Sequence, residues 1–454
     1  MDLTPETLKI AIDTVWVVLA GALIFWMCAG FALVEAGFCR AKHCVHVLAM
    51  NYAVVSVSTL GFFAVGFGLM FGNGNAFIGT TGFFPSLKED PALFSALQWT
   101  SVPLAAKFFF QVVFADTAAT IVSGTVAERG KFSAYMIFSI LMVTVLYPIV
   151  GHWTWGGGWL ALRSVPFQDF AGSSMVHSIG GWAALTGAIM VGPRIGKYIN
   201  GKAMPMRPHN MSLATLGTLI LWLGWIGFNA GSTMTADASA IAHVTVTTLL
   251  AGCAGLLSSM ILSWAIQKKP DLGMILNGTL AGLVAITAGC NAVSMAGALT
   301  IGLIAGGLVF GSVFAVERLG VDDPVGAVSV HLVNGIWGTL AVGLFATKAG
   351  SVGSFDGLLY GGGMALLTTQ IIGVLSIGAY MLIGSVICWT VVKALVGLRV
   401  SPAVELEGLD LGEHGMLAYE LEDEHVLDVS SSSTIHLGSI PARKLTPEPV
   451  MARG

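Results

Sequence analysis

Val176-His177-Ser178-Ile179-Gly180-Gly181-Trp182 and Val330-His331-Leu332-Val333-Asn334-Gly335-Ile336-Trp337 set an imidazole in nearly the same local context twice. Each histidine follows a valine, precedes a glycine by four residues and lies in an apolar run with no other ionisable side chain nearby. An imidazole in hydrocarbon is costly unless it finds a partner or lines a pore, so an intramembrane ionisable residue marks a candidate functional site. Its repetition also suggests a duplicated architecture.

Outward from these segments, the 454 residues are 55% hydrophobic and 10% charged, far from the roughly 25% charge of a soluble domain. Apolar stretches long enough to cross a hydrocarbon layer of ~30 Å recur along most of the chain. Eleven are expected, at roughly 11–34, 46–71, 99–126, 132–150, 172–192, 212–230, 238–265, 275–290, 296–316, 327–347 and 363–393. The fold class is therefore an all-α polytopic membrane protein. The histidine segments are the fifth and tenth spans, which divides the chain into two five-helix sets and an extra eleventh helix. Because five is odd, the two sets insert with opposite orientation as inverted repeats.

Loop charge sets the orientation. Loops after odd-numbered spans carry Arg40, Lys42, Arg129, Lys131, Arg194, Lys197, Lys202, Arg207, Lys268, Lys269 and Arg318, against Lys88, Arg163 and Lys348 after even-numbered spans. By the positive-inside rule the odd-side loops and the C-terminus face the cytoplasm and the N-terminus lies outside. The start, Met1-Asp2-Leu3-Thr4-Pro5-Glu6, has no basic n-region, so no removable signal peptide is expected. Residues 1–400 form the membrane domain and 401–454 a cytoplasmic tail. The tail begins with acidic residues and turn glycines suited to docking, and becomes polar with few apolar anchors. The net charge of −4 says little about partners, and no nucleic acid is expected among them.

Several side chains stand out from the apolar background. Phe110 and Phe114 are spaced i,i+4 and share a helical face, a pattern ordinarily explained by packing. Trp153-Thr154-Trp155-Gly156-Gly157-Gly158 follows span four, where an indole either joins an interfacial belt or faces a vestibule. Span six ends in Gly227-Phe228-Asn229-Ala230-Gly231-Ser232, bringing another ring and a hydroxyl to the same side. Rings and a hydroxyl together would form a cage for a small monovalent cation, one that suits ammonium better than sodium. His43, His46, His152 and His209 are expected at interfaces, His243 is left open, and Asp237 is expected to cap the seventh helix. Cys28, Cys39, Cys44, Cys253, Cys290 and Cys388 show no metal-type spacing and read as small apolar packers. Two histidines without carboxylate or thiolate companions make a poor metal site, so neither a metal nor another cofactor nor an enzymatic activity is expected.

The ordered strings Phe114-Ala115 through Ala127-Glu128-Arg129, Trp155 with its three glycines, Asp169-Phe170-Ala171-Gly172 before His177, Gly227 to Ser232, Asp322-Asp323-Pro324 before His331, and His414-Gly415 resemble the ammonium transporter (Amt/Mep/Rh) family, bacterial Amt type. The similarity extends from the first span to about Tyr419. It implies that Phe110, Phe114, Trp155 and Ser232 recruit ammonium at an outer site and that Phe114 and Phe228 close the pore mouth. His177 and His331 would be twin pore histidines, with Asp169 ordering the backbone beside the outer site, where a carboxylate can cap a helix start. It further implies a homotrimer in the cell membrane, nitrogen uptake as ammonium and conceivably methylammonium, deprotonation with ammonia crossing the pore, and a PII-type signalling protein at the cytoplasmic face. The alternatives are an ammonium sensor signalling through the tail and an electroneutral ammonia channel. Asp116, Gly326 and Gly412 depart from the family pattern. Asp116 is expected to serve a structural or subunit-interface role.

Overall fold

The computed structural model describes residues 4–88 and 92–419. Ten of its helices are long and apolar enough to cross a membrane: α1 Pro5–Phe38, α2 Ala41–Phe71, α3 Leu104–Val126, α4 Phe132–Thr154, α5 Ser173–Val191, α6 Met211–Gly231, α7 Ala238–Gln267, α9 Met295–Arg318, α10 Val328–Phe345 and α11 Met364–Val396. The shorter apolar helix α8, Leu272–Thr287, completes the eleven. Several boundaries differ from expectation, α1 beginning six residues early and α2 five, and two of the shifts have local reasons. α3 starts at Leu104, not 99, because Pro103 stands in extended backbone just before it and lacks a backbone N–H. α8 starts three residues early because the Asp271 carboxylate accepts the Met274 N–H at 2.9 Å and caps that turn. Asp237 caps α7 as expected, accepting from Ala240 N at 2.9 Å.

The halves repeat the same packing. The broadest helix contact joins α1 to α6, the first helices of each half; α2 packs on α3 and α4 as α7 packs on α8 and α9; and the histidine helices α5 and α10 cross each other. This is the two-fold arrangement expected of inverted repeats. Small residues allow the close approach. At Gly217 in α6, an added Cβ would lie 2.5 Å from Val34 N and 2.6 Å from Gly30 O of α1.

Several basic residues of the odd-side loops hold those loops together. The Glu128 carboxylate accepts from Arg40 N at 2.8 Å and Nε at 2.6 Å, and Arg194 lies 3.1 Å from it. Arg194 also presents a fork to Asp322, with Nε and a terminal nitrogen at 2.9 and 2.8 Å. Fully buried Arg129 donates to the carbonyl oxygens of Ala127, Gly192 and Asp322. Burial alone would raise the Asp322 carboxyl, but the Arg194 bonds and the Arg194 and Arg129 charges hold it down at about 2. Glu128 is likewise lowered, Arg194 and Arg40 outweighing its burial.

Two short helices, α12 (Pro402–Glu407) and α13 (Leu409–His414), pack on this face. Glu405 accepts from Ile195 N at 2.7 Å and from the Arg399 guanidinium at 2.7 and 3.0 Å. Asp410 accepts from His46 N at 2.8 Å, Leu409 N donates to His43 Nδ1 at 3.2 Å, and the rings of His46 and His414 meet at 3.1 Å. Residues up to Ala418 thus belong to the same compact unit as the helices; the polar tail beyond 419 lies outside the described residues.

These contacts correct the interfacial placement of the histidines. His43 and His46 are completely buried beneath the chain from 402 to 414. His152 is also buried, held by the carbonyl oxygens of Met70 and Asn75 at 2.9 and 2.8 Å. His209 is half-buried and donates to Cys39 O at 2.8 Å, while His243 ties α7 to Val293 O at 3.0 Å. All six cysteines are free, but Cys28 is more than an apolar packer, since its thiol donates to Asp116 at 2.9 Å. Asp116 therefore joins α3 to α1 within one chain.

Replacing Arg194 by Ala would leave two buried carboxylates short of a partner, a loss of about 3–5 kcal/mol. Arg194→Ala is expected to melt well below the parent in detergent at neutral pH, read as the midpoint of the loss of helical signal. Asp322 has a folded value below its unfolded one, so its share of stability is fully present above the unfolded value of ~3.9 and fades as pH falls toward 2. The gap between Asp322→Asn and the parent should therefore narrow in acid; a constant gap from neutral pH to pH 3 would contradict the pairing.

Candidate functional site

The histidine helices depart from ordinary α-helix at the site. Ser173–Ser178 and Val328–Val333 are wound as π-helix, and the His177 N–H reaches back five residues to Gly172 O at 3.0 Å. Such wide turns are frequent at functional sites; α2 and α4 each carry one as well, at Phe62–Gly66 and Met142–Leu146. The glycine four residues after each histidine marks the crossing of α5 and α10. A Cβ on Gly181 would lie 2.5 Å from Leu332 N, and one on Gly335 would lie 2.5 Å from Ser173 O. With no side chain at either position the helices close up, and the His177 and His331 Nδ1 atoms come within 3.2 Å. Both rings are buried, His177 completely.

A ladder of rings leads to this pair. His177 stacks on Trp225 with centroids 5.1 Å apart and lies 5.4 Å from the Phe228 ring. Phe228 stacks in turn on Phe114 at 4.1 Å and 25°. Phe110 follows at 4.8 Å, and Trp155 meets Phe114 edge-on at 5.9 Å. Beyond the stacked phenylalanines opens a cavity of about 270 Å³, lined by Phe110, Phe114, Trp155 and Ser232 together with Lys107 and Gln111. All four residues singled out for an outer site thus meet at one cavity.

Polar atoms there are oriented by the backbone. The Ser232 hydroxyl donates to Phe228 O at 2.8 Å, which leaves its lone pairs free to accept. The Trp155 indole N–H donates to Asp169 O at 2.8 Å, fixing the ring at the cavity wall. The Asp169 carboxylate accepts from the N–H groups of Gly172, Ser173, Ser174 and Met175 at 2.8–2.9 Å. It is a helix-capping group, as its sequence position suggested, and it binds the indole and the His177 helix into one piece.

Four contributors were missed in the sequence. Lys107 is buried and donates to the carbonyl oxygens of Leu97 and Thr100 at 2.7 and 2.8 Å. As a lone cation in an apolar span it offered a signal, since it precedes Phe110 and Gln111 by three and four residues and shares their helical face. Trp225 offered none beyond its proximity to Phe228. On the opposite side of the histidines, Phe31 approaches His331 with centroids 5.9 Å apart, and Glu35 shares a small cavity with them.

Comparisons with known proteins identify the family. The sequence model described as Ammonium Transporter Family matches residues 15–419. Ammonium transporter Amt2 of Archaeoglobus fulgidus is 42% identical, the alignment covering 91% of this chain and 90% of that protein. The Bacillus subtilis ammonium transporter is 33% identical over 90% of this chain and 98% of its own. Among solved structures, one titled Sensor Amt Protein superposes with a TM-score of 0.83 at 39% identity, covering 90% of this chain and all of that one. Candida albicans Mep2 superposes with a TM-score of 0.79 at 28% identity, covering 87% of each chain. The chain belongs to the ammonium transporter family.

Proposed function

We propose that the protein transports ammonium, taking up the cation in the outer cavity, removing a proton, and passing ammonia between Phe114 and Phe228 and along His177 and His331. The observation that carries this reading is the stacking order: a cavity walled by aromatic rings and a hydroxyl acceptor lies over a closed phenylalanine pair, which lies over two touching imidazoles. Aromatic faces attract a desolvated cation by roughly 2 kcal/mol, and the Ser232 lone pairs can take one N–H. Stacked phenyl rings offer a cation no ligands, whereas neutral ammonia escapes most of the cost of entering a low-dielectric path. Two Nδ1 atoms at 3.2 Å share one proton, one donating and the other accepting. The pair can therefore accept a proton at one ring while giving one up at the other, a relay that suits imidazole.

The cavity side is the outside and the Arg194 network the inside, on the loop-charge asymmetry. Residues 1–400 are the conducting domain and 401–454 a regulatory tail. Three copies assemble in the cell membrane, each with its own pore, and the docked chain from 402 to 414 offers a PII-type signalling protein a surface that governs uptake. A second reading is an ammonium sensor of the same fold, favoured by the likeness to the structure titled Sensor Amt Protein.

Membrane current from the purified protein in liposomes, during an ammonium pulse and with a potassium control, tests the reading. A saturable current confined to ammonium is expected; binding without current or ammonia flux would favour the sensor. Removing both imidazoles in His177→Ala with His331→Ala opens the ladder to water and should abolish the discrimination against potassium. Wild-type selectivity in that variant would exclude the histidine role. Trp155→Leu removes one cage wall and should raise the half-saturating ammonium concentration by about tenfold, the equivalent of ~1.4 kcal/mol, with an unchanged melting midpoint. An unaltered concentration dependence would argue against the cage.

A further inference from the structure

Below the histidine pair, Glu35 of α1 is buried in a network whose proton count is informative. Its two carboxyl oxygens lie 2.7 and 2.8 Å from Ser123 Oγ. The same Ser123 Oγ lies 2.6 Å from Thr120 O. A hydroxyl carries a single proton, so it cannot donate to both the carboxyl and the carbonyl, and a carboxylate would leave two acceptors facing each other at hydrogen-bonding distance. The Gly124 backbone N–H also donates to the Glu35 carboxyl, and the Tyr135 hydroxyl also bonds with Ser123. Asn51 Nδ2 donates to Glu35 at 2.8 Å and to Val47 O at 3.1 Å, while Asn51 Oδ1 accepts from the Thr120 hydroxyl at 2.7 Å. One extra proton closes the network: Glu35 O–H donates to Ser123, and Ser123 donates to Thr120 O.

Glu35 also faces the conduction path. It lines, with Phe31, Val330 and His331, a cavity of about 20 Å³, room for about one water molecule. Nδ1 of His331 is engaged with His177, so Nε2 is the ring nitrogen left to exchange a proton across that cavity. Gly124 keeps the carboxyl close, since a Cβ there would come within 3.3 Å of the Glu35 carboxyl carbon. The other titratable groups acting on Glu35 or feeling its charge are Asp323 before α10, Tyr135 of α4 and Cys39 after α1. α6 and α8 present Leu221, Asn277 and Leu280 to the cavity, which carry no charge.

We propose that Glu35 is a second proton-carrying group of the pore, protonated at rest and exchanging its proton with His331 through a single water. The step rests on the transport reading above and involves proton transfers alone. Glu35 O–H releases its proton toward the inner face. The proton delivered by ammonium to the histidine pair then leaves His331 Nε2, passes through the water and re-forms the Glu35 O–H bond, while the ammonia continues as a neutral molecule.

Glu35→Gln tests this, because the amide keeps one donor for Ser123 and one acceptor for Asn51 while removing the exchangeable acid. Infrared difference spectra of the full-length protein should show the carbonyl-stretch band of a protonated carboxyl in the parent, absent from Glu35→Gln. In liposomes, ammonium current in Glu35→Gln should fall about a hundredfold, the low edge of what a positioned acid or base contributes, and its dependence on internal pH should flatten. Glu35→Asp restores an acid and should recover part of the current. The proposal is overturned if the parent lacks that band, if Glu35→Gln conducts like the parent, or if Glu35→Asp is as silent as Glu35→Gln. Failure of the transport reading is distinct: it is a parent without ammonium-selective current, whereas the infrared band reports the proton on Glu35 regardless of conduction.

Discussion

The crossing of α5 and α10 is the constraint on which the site depends. Two glycines allow one backbone to lie against the other, and the π-helical turns preceding them rotate each imidazole toward the crossing. Nearby elements then serve to hold that crossing. Trp225 and Phe228 of α6 cover His177, Phe31 of α1 covers His331, and the α1–α6 pairing places both sets of rings. A polar pair within an apolar bundle is costly when half satisfied, so the crossing has to be tight for the imidazoles to satisfy each other.

Hydrophobic length and periodicity made the spans legible, because a bilayer demands runs of fixed length and internally satisfied backbone. The duplicated histidine segment revealed the two halves, and the clustering of Phe110, Phe114, Trp155 and Ser232 followed from family-like strings. The face of the odd-side loops was opaque for a physical reason. Whether Arg194 solvates a lipid headgroup or bridges Glu128 and Asp322 depends on residues far apart in sequence that only folding brings together. His43 and His46 were misplaced on the same account, since their cover is a segment more than 350 residues away. Glu35 was hidden differently: it sits among small apolar residues near a helix end, and its partners Asn51 and Ser123 come from two other helices.

Electrostatics divides the molecule by depth. On the face of the odd-side loops, full charges are buried in pairs and forks around Glu128, Asp322 and Glu405. Among the described residues of the ring ladder itself, from Phe114 to His331, none carries a permanent charge, Lys107 lying in the wall of the outer cavity, and the polar atoms present are aimed at the backbone or at each other. The proposed function, in which a cation enters the mouth and is excluded deeper in, would draw on such a gradient, because field strength depends strongly on local solvation.

Glu405 bears on how the molecule is made. It is buried, it joins Arg399 to the turn after α5, and Asp410 and His414 close the inner end of α2. During synthesis these residues leave the ribosome after all eleven helices, so the inner surface of the first half waits for the final stretch of polypeptide. A chain that ended before Pro402 would keep its eleven helices yet leave His43 and His46 uncovered and Arg399 without its carboxylate partner.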